Sequence, residues 1–283
     1  MIDFEALANP GIRGLRAYDP GHDLVAFRRA HADGVLVELG SNENPCGPSP
    51  AAKQAVLGTL DQLHRYPDPR GGDLKRALSA KLGVEAAQII LGNGSHELLM
   101  QLAQVFAGPR REVVASQFGF AVHALAARAA GAPLRVAPAF DRGAPMPRGH
   151  DLDAIAGAIS PETALVYLAN PNNPTGTWFG ADAFATFMAR VPENVLVVVD
   201  EAYAEFADAP HYASALALLP RHPNLIVTRT FSKAHALAGL RIGHAVAHRA
   251  VMIDFGKPQV FEGQVAQTVQ SGGNRRLMIA DLF

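Results

Sequence analysis

The sequence predicts a three-layer α/β/α fold around a mainly parallel sheet of seven strands. Seven short apolar runs, rich in β-branched residues, recur along the 283-residue chain. Segments of helical length and period separate most of them, the kind of connection that joins parallel strands. Several runs are apolar at every position instead of alternate ones, as strands covered by helices on both faces are.

Taken in order, strands are expected at 88–91 (QIIL), 112–116 (EVVAS), 133–138 (PLRVAP), 164–170 (ALVYLAN), 194–200 (NVLVVVD), 225–230 (LIVTRT) and 242–247 (IGHAVA). Helical patterns fall at 95–108, 120–132 and 182–191. Residues 1–35, rich in Pro, Gly and Arg, read as an N-terminal arm, and 36–248 as the main domain. From 249 to 283 the chain has several Gly and Gln and little period, and is set apart as a divergent C-terminal segment.

Composition narrows the function classes. Hydrophobic residues at 49% and charged residues at 18% describe a globule with a substantial core, not a disordered chain. Basic residues number 25 against 26 acidic ones, so no nucleic-acid or membrane-surface partner is expected. The start carries no basic-then-apolar signal pattern and no apolar run is long enough to span a bilayer, which favours a cytoplasmic protein. Cys46 is the single cysteine, excluding an internal disulfide and a multi-thiolate metal site. His244 and His248 stand four apart without an acidic neighbour to complete a metal set.

Polar clusters follow the carboxyl ends of the apolar runs, where parallel sheets bind ligands. Lys233 stands behind Thr230 and Ser232, with Arg241 eight residues on. A lysine after a strand is commonly a solvated loop residue. Beside a second cation in a partly desolvated pocket, its pKa falls and the neutral amine can attack a carbonyl to form a Schiff base. The hydroxyls of Thr230 and Ser232 with the Arg241 guanidinium suit a phosphate. The run GNGSHELL at 92–99 offers helix-start amides to an anion, or a tight turn with Ser95 as N-cap. It is not a dinucleotide fingerprint, because Glu97 occupies the third glycine position.

Asp200 ends an apolar strand and needs a partner, either in a surface salt bridge or in a protonated ring nitrogen. Tyr203 could reach the same ligand. Asn173, within the turn NPNNPTG, carries an amide suited to a phenolate oxygen. Phe118, at a strand end, packs in the core or stacks on a ring. One small molecule would use all of these groups, with an aldehyde, a phosphate, a pyridine nitrogen and a phenolate: pyridoxal 5'-phosphate.

The motifs ELGSNENPCGPSP (38–50), RYPDPRGGDLKRAL (65–78), ILGNGSHELL (90–99), ANPNNPTG (169–176), VVVDEAY (197–203) and TRTFSKAHALAGLRIG (228–243) resemble, in order and spacing, the histidinol-phosphate aminotransferases. These are fold-type I enzymes that depend on pyridoxal phosphate. The resemblance implies that Lys233 bonds the cofactor aldehyde, that Asp200 faces the ring nitrogen, and that Asn173 and Tyr203 hold the phenolic oxygen. It assigns Phe118 to the ring face, and Gly94, Ser95, Thr230, Ser232 and Arg241 to the phosphate. His96 belongs to the same cofactor-binding set, at a position where relatives often carry Asp. Tyr66 would reach the cofactor phosphate of a neighbouring subunit, which implies a homodimer. The implied reaction is transamination between L-histidinol phosphate and 2-oxoglutarate, with glutamate as its amino product. A related enzyme, such as a decarboxylase of a phosphorylated amino acid, and a catalytically inactive remnant are the other readings. The resemblance ends near Ala247, so the small C-terminal domain of the family is expected to be largely missing, and Arg275 and Arg276 match no family position.

Overall fold

A computed structural model describes residues 4–15, 24–31, 34 and 37–255. Its strands are β1 (Ile89–Gly92), β2 (Glu112–Ser116), β3 (Leu134–Ala137), β4 (Thr163–Ala169), β5 (Leu196–Asp200), β6 (Leu225–Thr230) and β7 (Gly243–Ala247). They form one sheet in the order β1-β7-β6-β5-β4-β2-β3. Pairing is parallel from β3 across to β6, while β7 runs antiparallel to both β6 and β1. The expected seven-stranded, mainly parallel sheet is present, and β7 is the reversed strand.

The helices are α1 (Phe4–Leu7), α2 (Leu24–Ala30), α3 (Pro50–Leu57), α4 (Gly72–Leu82), α5 (Ser95–Phe106), α6 (Ala121–Ala129), α7 (Leu152–Ala158), α8 (Ala181–Met188) and α9 (Arg249–Phe255). Alternation along the strands divides the core in two. In β5, Val197 and Val199 pack with Leu74, Leu78, Ile155 and Phe187 of α4, α7 and α8. Val198, between them, points the other way onto Leu98, Leu99 and Leu102 of α5 and Val122 and Ala126 of α6. Every residue of β4 is buried, which explains its unbroken apolar reading. At the edge strand β3 the pattern relaxes, and Val136 is 53% exposed.

Two readings of the termini are corrected or bounded. The segment after 248 shows little helix or strand period in the sequence, and its first residues, Arg249–Phe255, form α9, with Val251 and Met252 on the core beneath α5. Seven residues are too few for a helical period to register in the sequence. The rest of the C-terminal segment, 256–283 with Arg275 and Arg276, lies outside the described residues, as do positions 1–3, 16–23, 32–33 and 35–36 of the arm and its junction.

Candidate active site

Pairing register gathers the polar clusters. Asp200 at the end of β5 lies opposite Thr228 of β6, and Gly243 at the start of β7 lies between Thr230 and Gly92. The carboxyl ends of β1, β5 and β6 therefore meet at a cavity of about 320 Å³. Its lining includes Ser95, His96, Asn173, Asp200, Tyr203, Thr230, Ser232, Lys233 and Arg241. Nine of the twelve sequence-predicted site residues thus come together from five separate stretches of chain.

Asp200 is 3% exposed and accepts a 2.8 Å hydrogen bond from Thr228 Oγ1. Burial pushes its carboxyl up to about 6, opposed by the hydroxyls of Thr228 and Ser95 and reinforced by the neighbouring Glu201 charge. A carboxylate so placed calls for a cation from the cavity side. Lys233 is half-buried, with Nζ donating to the Ser41 carbonyl at 2.7 Å and lying 5.8 Å from the centre of the Tyr203 ring. Burial lowers its pKa, Glu43 works against that, and Arg241 adds to it. These are the conditions under which a lysine amine becomes a nucleophile.

The Arg241 side of the cavity is built by close approach of backbone and guanidinium. Gly94, the residue before α5, has φ +79°, and a Cβ there would stand 2.6 Å from Arg241 Nη2. A Cβ on Gly243 would meet the Gly94 carbonyl carbon at 2.5 Å and Ser95 N at 2.6 Å. Both glycines let the start of α5 sit against β7 and Arg241. Arg241 donates through Nη1 to Ser232 Oγ at 3.3 Å and through Nη2 to the Asn93 carbonyl at 3.1 Å. Thr230 Oγ1 donates to Ser232 Oγ at 2.9 Å. Glu97, where a fingerprint glycine would fall, accepts from Asn93 N and Asn93 Nδ2, which ties the turn to the first turn of α5. His96 is half-buried, and burial followed by Arg241 lowers its pKa.

Three predicted residues sit elsewhere. Gly94 shapes the cradle without lining the cavity. Tyr66 is 91% exposed and lies outside it. Phe118, expected on the ring face, is absent from the lining, and Phe120 is the aromatic residue found there. The turn before α6 accounts for the exchange: the Phe118 carbonyl is held by Asn172 Nδ2 at 2.8 Å, and its ring carries the Arg148 guanidinium at 5.5 Å.

Sequence reasoning also missed one wall. Gly40, Ser41, Asn42 and Glu43 line the cavity, and Asn42 Nδ2 donates to the Tyr203 hydroxyl at 3.1 Å. The polar run SNEN before a proline was visible as a motif, but its partners lie far along the chain. The assembled groups fit a planar ligand with an anionic arm at the α5 start, a basic ring atom at Asp200 and a carbonyl near Lys233. Among the described residues no group of three or more His, Cys, Asp or Glu could hold a metal ion, and no helix is long and apolar enough to cross a membrane.

Comparison with known proteins places the chain in a family. The family described as aminotransferase class I and II matches residues 35–271. Histidinol-phosphate aminotransferase 2 of Pseudomonas aeruginosa is 47% identical over 253 residues, 89% of this chain and 67% of the relative. Histidinol-phosphate aminotransferase 1 of Nitrosococcus oceani is 48% identical over 245 residues, 87% of this chain and 65% of the relative. The crystal structure of histidinol-phosphate aminotransferase from Sinorhizobium meliloti in complex with pyridoxal-5'-phosphate superposes with a TM-score of 0.82 at 32% identity, covering 97% of this chain and 70% of that one. The chain spans about two thirds of the length of the curated relatives it matches.

Proposed function

From the premise that the chain belongs to the class I and II aminotransferase family, we propose that it serves amino-group transfer between L-histidinol phosphate and 2-oxoglutarate, with pyridoxal 5'-phosphate as cofactor. The observation that carries the reading is the shared cavity, in which a lysine amine, a buried carboxylate and a guanidinium cradle stand at three separate places. The fit to the cofactor rests on that donor set and on the cradle that a Cβ at Gly94 or Gly243 would fill.

When bound, pyridoxal phosphate supplies an aldehyde that bonds amines and a ring that withdraws electrons when its nitrogen is protonated. Asp200 keeps that proton in place, because a cation opposite it offsets the burial that otherwise drives the carboxyl toward neutrality. Thr228 fixes the carboxylate through Oδ1. Arg241, Ser232, Thr230 and the start of α5 hold the phosphate by charge and by hydrogen bonds. Asn173 and Tyr203 orient the phenolic oxygen, and Phe120 covers a ring face. Lys233 would hold the aldehyde end of the cofactor through its amine, and its lowered pKa would suit that amine to accept a proton at Nζ and return it.

Residues 36–248 act as the cofactor-binding unit of this scheme. Exposure of Tyr66 agrees with a homodimer in which it reaches the neighbouring subunit's site. Net charge near zero and the lack of a membrane-crossing helix among the described residues favour a cytoplasmic enzyme.

Adding pyridoxal phosphate should produce a visible band that borohydride fixes covalently on Lys233, read by peptide mass spectrometry. Label on another lysine sinks the assignment. Amino transfer from histidinol phosphate, followed as glutamate formed, then tests the substrate pair separately from cofactor binding.

A further inference from the structure

The wall that sequence reasoning missed is a strap of four residues, 40–43, that lines the cavity and is anchored beyond it by Asn44. It is bonded to the site at three points. The Ser41 carbonyl accepts from Lys233 Nζ at 2.7 Å, Asn42 Nδ2 donates to the Tyr203 hydroxyl at 3.1 Å, and Asn44 Nδ2 donates to the Ala234 carbonyl at 2.9 Å. Asn42 sits at φ 53°, a left-handed conformation that Asn tolerates better than most residues. Adjacent residues thereby present a carbonyl and an amide to two different functional side chains. A staple needed only for stability would gain as much from backbone partners, as the bond from Asn44 to Ala234 illustrates.

The chemistry of the two bonds is specific. A phenol has one hydrogen and two lone pairs, so accepting from Asn42 sets the sense in which the Tyr203 hydroxyl is turned. A carbonyl can only accept, so Ser41 holds the Lys233 amine through one of its own hydrogens, in its free state. We propose that the strap is part of the site: Asn42 is a positioning residue for the Tyr203 phenol, and the Ser41 carbonyl is the resting point of the Lys233 amine whenever it is not covalently engaged. This inference rests on the functional reading given above.

The test uses the full chain loaded with pyridoxal phosphate and reads the pH midpoint of its visible absorbance, with thermal melting alongside to confirm folding. Asn42→Ala should move that midpoint by several tenths of a unit in the same direction as Tyr203→Phe, and lower kcat roughly fivefold with little change in KM for the amine. The double variant should match Tyr203→Phe alone, because Asn42 acts through the phenol. Asn42→Asp keeps the shape without the donor, so it should shift the midpoint too, even if Asn42→Ala fails to fold. Asn44→Ala loosens the strap without touching Tyr203 and should leave the midpoint unchanged. Additive effects in the double variant, a wild-type midpoint in Asn42→Asp, or an equal shift in Asn44→Ala each overturn the proposal. If borohydride fixes cofactor on Lys233 while the Asn42 variants are silent, the strap alone loses its role. No label on Lys233 in the unmodified protein removes the functional reading and the strap proposal together.

Discussion

Lys233, Asp200 and Arg241 could be found in the sequence because each breaks, or closely follows, an apolar run that leaves a polar group little choice of environment. Asp200→Ala should therefore separate binding from turnover: cofactor content, measured by absorbance, falls modestly while turnover drops by about a hundredfold or more. Equal losses would make Asp200 a structural residue only. Gly94→Ala tests the cradle, since the added methyl combines a strained φ of +79° with a 2.6 Å approach to Arg241 Nη2. The guanidinium can swing aside at the expense of its aim, so cofactor affinity should fall roughly tenfold while stability falls by about 1 kcal/mol. A cofactor titration and a urea melt measure the two effects. Phe118 and Phe120 mark where residue-level reading stops. Both are aromatic and two apart, and the letters alone do not say that Phe120 lines the cavity while the Phe118 carbonyl is held by Asn172. Asn42 was out of reach for a different reason, since 161 positions separate it from the hydroxyl it touches.

At the scale of elements, the strands were legible nearly to the residue where both faces are covered. EVVAS and LIVTRT coincide with β2 and β6, and ALVYLAN is shifted by one from β4. Strand direction was not legible, because an apolar run reads the same in either sense and β7 is the reversed one. Also hidden was the cross-link that holds the ends of β5 and β6 in register. Glu201, fully buried, accepts from Arg229 Nε at 3.1 Å, Arg229 Nη2 at 2.7 Å, Ser214 Oγ at 2.7 Å and Ala215 N at 2.6 Å. Because its neighbour in the chain is Asp200, this anchor fixes the strand end on which the site depends. Arg229→Met leaves a carboxylate buried without its cation and should cost about 3–5 kcal/mol in urea unfolding. Pairing it with Glu201→Gln removes the stranded charge and should recover part of the loss. A double variant no more stable than Arg229→Met would show that the hydrogen bonds to Ser214 and Ala215, not the charge pair, hold the junction.

For the molecule as a whole, the sheet's tight covering has an electrostatic consequence. His123, His150 and His244 are each at most 5% exposed, and burial pulls their pKa values down to about 3, about 4 and about 3. His123 stacks flat on Tyr167 at 5.0 Å, and among the described residues neither of its ring nitrogens has a hydrogen-bonding partner. Arg229 and His235 further disfavour charge on His244, and His150 does so on His123. The folded protein therefore keeps three imidazoles neutral that the unfolded chain protonates below its ordinary value of 6.5. Their contribution is complete above pH 6.5 and is lost as pH falls toward 4 and then 3. Asp200 acts in the opposite sense. Its carboxyl, raised to about 6, binds a proton in the folded state that the unfolded chain does not bind until near 3.8, so it favours the fold at lower pH. From these four groups alone, three protons gained on unfolding against one lost leave a net uptake of about two between pH 6 and 4. Stability of the cofactor-free protein should then fall by about 3 kcal/mol per pH unit across that window, a total comparable with the lower end of ordinary domain stability. Urea melts at half-unit steps of pH measure the slope directly. His123→Phe keeps the stacked ring and deletes one titrating group, so it should flatten the slope by about one proton's worth, near 1.4 kcal/mol per pH unit. An unchanged slope would mean that the buried imidazoles do not govern acid unfolding.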